Sequence, residues 1–226
     1  MAQAKYGRIG GTRAFDLVLL TWAAGMLDAL CYLRAHVFAA NMTGNIVLLG
    51  LNLVRDQEHR GEWNLAAIAA FIAGALLAGA LLFRRRAPMA PPVEVKAGLS
   101  IELPFLLAFA ALCSLRDSSQ SGAIKAGVIV AGAAAMGVQS IAVRRLKIAG
   151  VATTFMTGTM TSAIADWLSG ERQVDSSISQ PLLLAAMLVT YFAAAATTAL
   201  FHSTTVPTIL PFLCVAAVRV RWPADG

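Results

Sequence analysis

The side chains with chemistry to offer are few, and they come in two sets. Ala40-Asn41-Met42-Thr43-Gly44-Asn45-Ile46 and Thr154-Phe155-Met156-Thr157-Gly158-Thr159-Met160 share the tripeptide Met-Thr-Gly, and each follows a long apolar segment. Polar, helix-breaking residues that interrupt hydrophobic sequence at corresponding places in two halves point to a binding site or pore between repeats. The candidate lining is Asn41, Thr43, Gly44 and Asn45 from the first set and Thr154, Thr157, Gly158 and Thr159 from the second. Asp28 joins them, because an ionisable group well inside an apolar segment costs about 2.5 to 3.5 kcal/mol on insertion scales unless it is paired or hydrated. It either couples a proton or coordinates a cation beside the first cluster, or it hydrogen-bonds free N–H groups near Asn45 and holds the following segment in place. Its counterpart by spacing, Gln139-Ser140, is polar but cannot ionise.

Other polar residues point less clearly to a site. Thr190, Tyr191, Thr197 and Thr198 fall in one apolar stretch, where packing and bonds to the same helix are the expectation. His36, His59 and His202 sit at segment ends or in loops, and Cys31, Cys113 and Cys214 lie in apolar runs without ligand or disulfide spacing. No nucleophile with its base, phosphate-cradling glycine loop or zinc pattern is visible, so neither a catalytic residue, a metal nor a cofactor is expected.

The elements that position these residues follow from composition. A chain of 226 residues that is 58% hydrophobic and 13% charged, with a mean hydropathy of +0.70, has too little polar surface for a soluble globule. Its formal charge of +6 lies in short basic clusters between apolar runs, which reads as membrane anchoring and not as a nucleic-acid surface. Apolar stretches run from Phe15 to Leu33, Val37 to Val54, Trp63 to Phe83, Leu99 to Leu115, Gly122 to Val143, Val151 to Leu168, Pro181 to Phe201 and Thr205 to Val218. A spanning helix needs about 20 residues. The second and sixth stretches are marginal in length and broken by the polar clusters, and the last contains Pro207 and Pro211.

Charge decides among topologies, since short cytoplasmic loops hold the excess of Lys and Arg. If the second and sixth stretches dip in and return, then Lys5, Arg8, Arg13, Arg84 to Arg86, Lys96, Arg144, Arg145, Lys147, Arg172, Arg219 and Arg221 all face the cytoplasm. Arg34, Arg55, Arg60, Arg116 and Lys125 remain outside or near that end. The chain is therefore expected to be all-α, a polytopic membrane helix bundle of about six spanning helices plus two interrupted or re-entrant segments, with both termini cytoplasmic. Three spans per half is an odd number, so the halves, approximately 15–115 and 122–218 of a single membrane domain 1–226, are expected to be inverted repeats.

Gly25-x-x-Asp28-Ala29, Phe38-x-x-Asn41-Met42-Thr43-Gly44-Asn45, Gly137-Val138-Gln139-Ser140, Arg144-Arg145-Leu146 and Thr153-Thr154-Phe155-Met156-Thr157-Gly158-Thr159 occur in that order. In these motifs the chain resembles the bacterial YoaK family, also called DUF1275, over nearly its whole length. The resemblance implies a multi-pass protein of the bacterial cytoplasmic membrane and assigns no substrate or catalytic residue. The short, proline-containing last span and the Ala/Pro-rich loop from Ala87 to Pro92 depart from it.

Asn41 and Thr43 suit the N-cap of a helix from Gly44 to Val54, roughly 16 Å long at about 1.5 Å per residue and near half of a hydrocarbon core of about 30 Å. Thr157 and Thr159 suit a matching helix to Trp167. Since non-helical backbone at membrane depth needs protein or a water-filled cavity around it, the clusters are expected to face inward. Two such helices entering from opposite faces would present N–H groups to an anion near the midplane, or amide, hydroxyl and carbonyl oxygens to a cation. The competing account is that Gly44 and Gly158 permit close packing and the hydroxyls satisfy their own backbone. Small residues at Ala70/Gly74, Ala75/Gly79, Gly122/Ala126 and along Gly127, Gly132 and Gly137 suit close helix contact, either within one bundle or across a homo-oligomer. The expected function is a small-solute transporter or channel with its site between the repeats. The alternative is a non-transporting membrane scaffold or accessory subunit.

Overall fold

A computed structural model describes residues 11–55, 58–83, 91–115, 122–146, 153–154, 156–169, 180–201 and 205–222. Among them the regular elements are all helices: α1 Gly11–Ala35, α2 Met42–Val54, α3 Glu58–Phe83, α4 Pro91–Ser114, α5 Gly122–Arg144, α6 Met156–Ser169, α7 Gln180–Phe201 and α8 Val206–Arg221. Lys5, Arg8, Arg84 to Arg86, Arg116, Lys147, Arg172 and His202 lie outside the described residues.

Five helices, α1, α3, α4, α5 and α7, are long and apolar enough to cross a membrane. The short helices are those whose sequence is interrupted. α2 has 13 residues and α6 has 14, each beginning at the methionine of its Met-Thr-Gly. α8, expected as a sixth span, has 16 residues, about 24 Å at 1.5 Å per residue, with Pro207 in its first turn and Pro211 inside it. α4 starts two turns before the expected Leu99. Pro91 and Pro92 open it, where missing N–H groups cost nothing, and Glu94 sits in its first turn, where the helix dipole favours an acid.

The core lies where α1 and α5 cross, and it is built from small residues. Gly137 admits α3, since a Cβ there would overlap the Phe71 carbonyl oxygen, and one on Gly74 would overlap the Ala134 carbonyl. Gly132 brings α5 against α4 and α1, since a Cβ there would lie 3.2 Å from the Phe109 ring and 3.3 Å from Cys31 Sγ. The small-residue pattern is thus used inside the bundle at Gly74, Gly127, Gly132 and Gly137, whereas Gly79 meets only Phe83 of its own helix. Cys31 and Cys113 are buried, Cys214 is partly so, and all three are free thiols.

Packing recurs between the halves. α1 packs on α7 and α8, α5 on α3 and α4, α2 on α3, and α6 on α7. α1 and α5 run antiparallel, with Leu20 of α1 meeting Gln139 of α5 and Cys31 meeting Gly132. The charged residues gather mainly at one end. There Glu94 takes Arg145 bidentately at 2.5 and 2.6 Å, and Arg145 lies 4.6 Å over the Phe83 ring. The hydrogen bond from Arg145 to Glu94 holds the guanidinium above its ordinary pKa. Lys96 donates to the Trp222 carbonyl at 3.0 Å, Arg219 to Ser100 Oγ at 2.7 Å, and Arg221 faces Asp16 at 3.5 Å. At the other end Arg34 donates to the Cys113 carbonyl and Lys125 lies over Trp63.

Gly74→Ala and Gly137→Ala should each lower stability by about 1 to 3 kcal/mol, since the added methyl meets backbone that cannot swing away. Gly50, with nothing within 4 Å of a Cβ, should tolerate alanine or gain from it. Thermal melting of the three purified variants tests this, and a Gly137→Ala protein that melts with wild type would reject the packing described.

Candidate functional site

The first cluster is built around a break in the backbone. α1 ends at Ala35, and His36 takes a positive φ of 55°, the left-handed conformation that closes many helices, with its N–H still bonded to the Tyr32 carbonyl at 2.9 Å. The Tyr32 ring packs edge-on to His36 and stacks on Phe38, fixing the chain as it turns. The extended residues that follow need partners for their backbone groups, and three side chains supply them. Asn45 accepts from the Phe38 N–H at 2.8 Å and donates to the Phe38 carbonyl at 2.7 Å, standing in for a neighbouring backbone. Asn41 caps α2, accepting from the Gly44 N–H at 3.1 Å and from the Thr43 hydroxyl at 3.3 Å. Asp28, about two turns before the end of α1, accepts the Ala40 N–H at 2.5 Å, and the N–H groups of Ala39 and Asn41 also turn toward it.

Asp28 has a further partner that spacing did not show. The Tyr191 hydroxyl of α7 donates to its other carboxylate oxygen, across 163 residues of chain. Gly25 makes this reachable: a Cβ there would sit 2.8 Å from the Tyr191 carbonyl oxygen, so α7 approaches α1 closely and delivers the phenol one turn later at Asp28. Tyr191, expected only to pack, is therefore part of the site. Thr197 and Thr198 do bond their own helix, at the Ala193 and Ala194 carbonyls. Nothing in the spacing of a tyrosine within an alanine-rich helix identifies a partner on another helix.

The second cluster repeats this plan with neutral groups. Gly137 admits Phe71 of α3 as Gly25 admits Tyr191. Three residues on, where the first half has Asp28, Ser140 bonds the Thr154 hydroxyl at 2.7 Å. Thr154 occupies the place of Ala40, two residues before the shared methionine. Gln139 donates to Thr153 Oγ1 at 2.8 Å and to the Leu20 carbonyl at 3.3 Å, tying the second break to α1. Acid and phenol thus meet beside the first cluster, and hydroxyl and phenyl occur at the equivalent positions beside the second.

The expectation that both clusters face inward holds only in part. Asp28, Asn45, Gln139 and Thr159 are buried, while Asn41, Thr43 and Thr157 are exposed and Gly44, Thr154 and Gly158 are intermediate. The physical reason is that Asn41 and Thr43 satisfy the helix start by themselves, so they need no surrounding protein to do it. Nor do the two helix starts meet through their helices: α2 rests on α3 and α6 on α7, with no comparable packing between α2 and α6 among the described residues. What converges instead is Asp28, Tyr191 and the turn at Ala40, where α1, α7 and the entry to α2 come together.

Asn45→Ala strands the N–H and carbonyl of Phe38 and should cost about 1 to 3 kcal/mol. Asn41→Ala, at an exposed cap, should cost about 1 kcal/mol. Melting temperatures of the two variants should fall in that order, and the reverse order would mean that Asn45 is not what holds the break.

The comparisons with known proteins agree with this architecture. The sequence model of a family described as "Protein of unknown function (DUF1275)" matches residues 17–220. The UPF0700 transmembrane protein YoaK of Bacillus subtilis (strain 168) is 33% identical over 180 residues, which cover 77% of each chain. No solved structure matches. The chain, a multi-pass helical membrane protein with both of its interrupted motifs inside the matched region, belongs to the DUF1275 family.

Proposed function

We propose that the protein is a small-solute transporter or channel of the bacterial cytoplasmic membrane, built as two inverted repeats, with Asp28 and Tyr191 as its coupling pair. The observation that carries this reading is the hydrogen bond from Tyr191 to Asp28, which joins the interrupted α1–α2 turn of one half to α7 of the other. A carboxylate there exchanges its phenol partner for a proton or a cation, and losing that bond frees α7 from the turn. Intramembrane acids of this kind mark ion and substrate pathways. The exposed Asn41, Thr43 and Thr157 offer the approach for a solute, and the neutral Ser140–Thr154 pair leaves the second half without a matching charge.

The inverted repeat is supported by the recurrence of helix pairs and by the antiparallel crossing of α1 and α5. The start of α1 and the end of α8 meet at Asp16 and Arg221, on the end that also holds Lys96, Arg145 and Arg219. The positive-inside rule puts that end, and both termini, in the cytoplasm. The partners in this reading are the lipid bilayer and a small solute. Exposed apolar residues such as Ile46, Val47, Ile164 and Leu168 on the short helices face lipid or a second copy of the chain. No catalytic step, cofactor or nucleic acid enters it. The scaffold reading draws on one observation, that both polar ends of Asn45 are spent on Phe38 and so are closed to a solute.

The test is ion flux in vesicles containing the purified protein, with an entrapped pH-sensitive dye and an imposed potassium diffusion potential. Asp28→Asn keeps an oxygen for the Ala40 N–H, so it should fold and melt near wild type while losing flux by about tenfold or more, equivalent to about 1.4 kcal/mol. Tyr191→Phe should fold and shift the pH dependence of flux. Unchanged flux and pH profile in folded Asp28→Asn would reduce Asp28 to a cap, and no flux of any solute tried with wild type would favour the scaffold.

A further inference from the structure

Glu102 lies in the middle of α4, inside the fourth apolar stretch, and is fully buried. Neither of its carboxyl oxygens has a hydrogen-bond partner among the described residues. The register between α4 and α5 says what stands opposite it. Glu94 meets Arg145, Gly98 meets Ala142 and Phe109 meets Gly132. One turn on from Gly98 is Glu102, and just under one turn back from Ala142 is Gln139. Gln139 is also fully buried, its NH₂ group is spent on Thr153 and Leu20, and its Oε1 has no partner. Three oxygen acceptors therefore lie buried at one level of the α4–α5 pair without a donor among them.

Charged and titratable groups on the surrounding elements are already engaged or distant. On α4, Glu94 is held by Arg145 and Lys96 by the Trp222 carbonyl, and Cys113 is about three turns away. From α8, Arg219 is bonded to Ser100 Oγ and Arg221 faces Asp16, with Cys214 toward the other end of that helix. From α5, Arg144 is exposed, Arg145 is on Glu94 and Lys125 lies over Trp63 at the far end. From α3, Arg60 and Glu62 lie beside Trp63, also at that end. From α1, Asp28 is bonded to Tyr191 and Ala40, and Cys31 lies at the level of Gly132.

An ionised glutamate only accepts hydrogen bonds, whereas the neutral acid carries one O–H donor. We propose that Glu102 and Gln139 form an intramembrane proton-binding site, in which the neutral Glu102 carboxyl donates to Gln139 Oε1. A sodium ion would need more oxygen ligands than these three. Release is simple: the O–H bond breaks, the proton passes to water as hydronium, and the carboxylate keeps the electron pair. It requires Glu102 to leave Gln139, and α4 has a place to bend. Pro104, two residues on, has no N–H for the Ser100 carbonyl, which weakens the helix at the turn that carries Glu102.

Infrared difference spectroscopy of the whole protein in vesicles tests this without any transported solute. Wild type minus Glu102→Gln should contain a protonated-carboxyl C=O band at pH 7, and the variant should lose that band completely. Gln139→Met, which keeps Glu102 and roughly the side-chain volume, should shift the band to higher frequency by removing its acceptor. Should Glu102→Gln fail to fold, the Gln139→Met shift reads the same bond. A wild-type difference spectrum with only ionised carboxylate bands at pH 7 would overturn the proposal. So would a Gln139→Met band at the wild-type position, or a sodium-dependent loss of the band.

Discussion

Every peptide group placed in hydrocarbon must find its hydrogen bond inside the protein, and the described residues leave helical geometry at 36–41 and 153–154, ahead of α2 and α6. The break between α1 and α2 is possible because Asp28, Asn41 and Asn45 accept or donate where helix would have done so. Ahead of α6, Gln139 and Ser140 meet the side chains of Thr153 and Thr154 instead. Much else is arranged around these requirements. Gly25 and Gly137 are small so that a neighbouring helix can close over each break, and α2 and α6 are short because they begin only after it.

The first break has been given a carboxylate although a neutral side chain suffices at the second. A serine hydroxyl meets a threonine hydroxyl in one half, and nothing further is needed from Phe71. In the other half the acid takes a backbone N–H and still has an oxygen free, which the Tyr191 hydroxyl occupies. The Tyr191 hydroxyl is additional to the backbone bond that satisfies the turn, and it ties α7 to α1 as Gln139 ties α5 to α1.

Much of the architecture was legible in the residues. Apolar runs located all eight helices, and Asn41 announced the start of α2 because a capping amide acts on groups two or three residues away. Local chemistry of that kind is written in spacing. Tyr191 was not legible, since its partner lies 163 residues away and only the approach permitted by Gly25 brings them together. The early start of α4 was hidden because Glu94 and Lys96 look like loop residues until Arg145 and the Trp222 carbonyl are seen to meet them. Glu102 did carry a signal, an acid within an apolar run, but its isolation from every donor is a property of the packed bundle.

The polar ties between helices differ in kind along the bundle. At the end that holds Glu94, Lys96, Arg219 and Asp16, charged or charge-assisted bonds join α1, α4, α5 and α8. At the opposite end Arg34 donates to the Cys113 carbonyl at 3.3 and 3.4 Å, Lys125 lies over Trp63, and Asn52 of α2 donates to Asn64 of α3 at 2.9 Å. There a cavity of about 360 Å³ separates the last turn of α1 from the first turns of α5. The bundle is consequently laced by different means at its two ends: ion pairs clasp one, while at the other the space between the ends of α1, α4 and α5 leaves those three helices room to shift against one another.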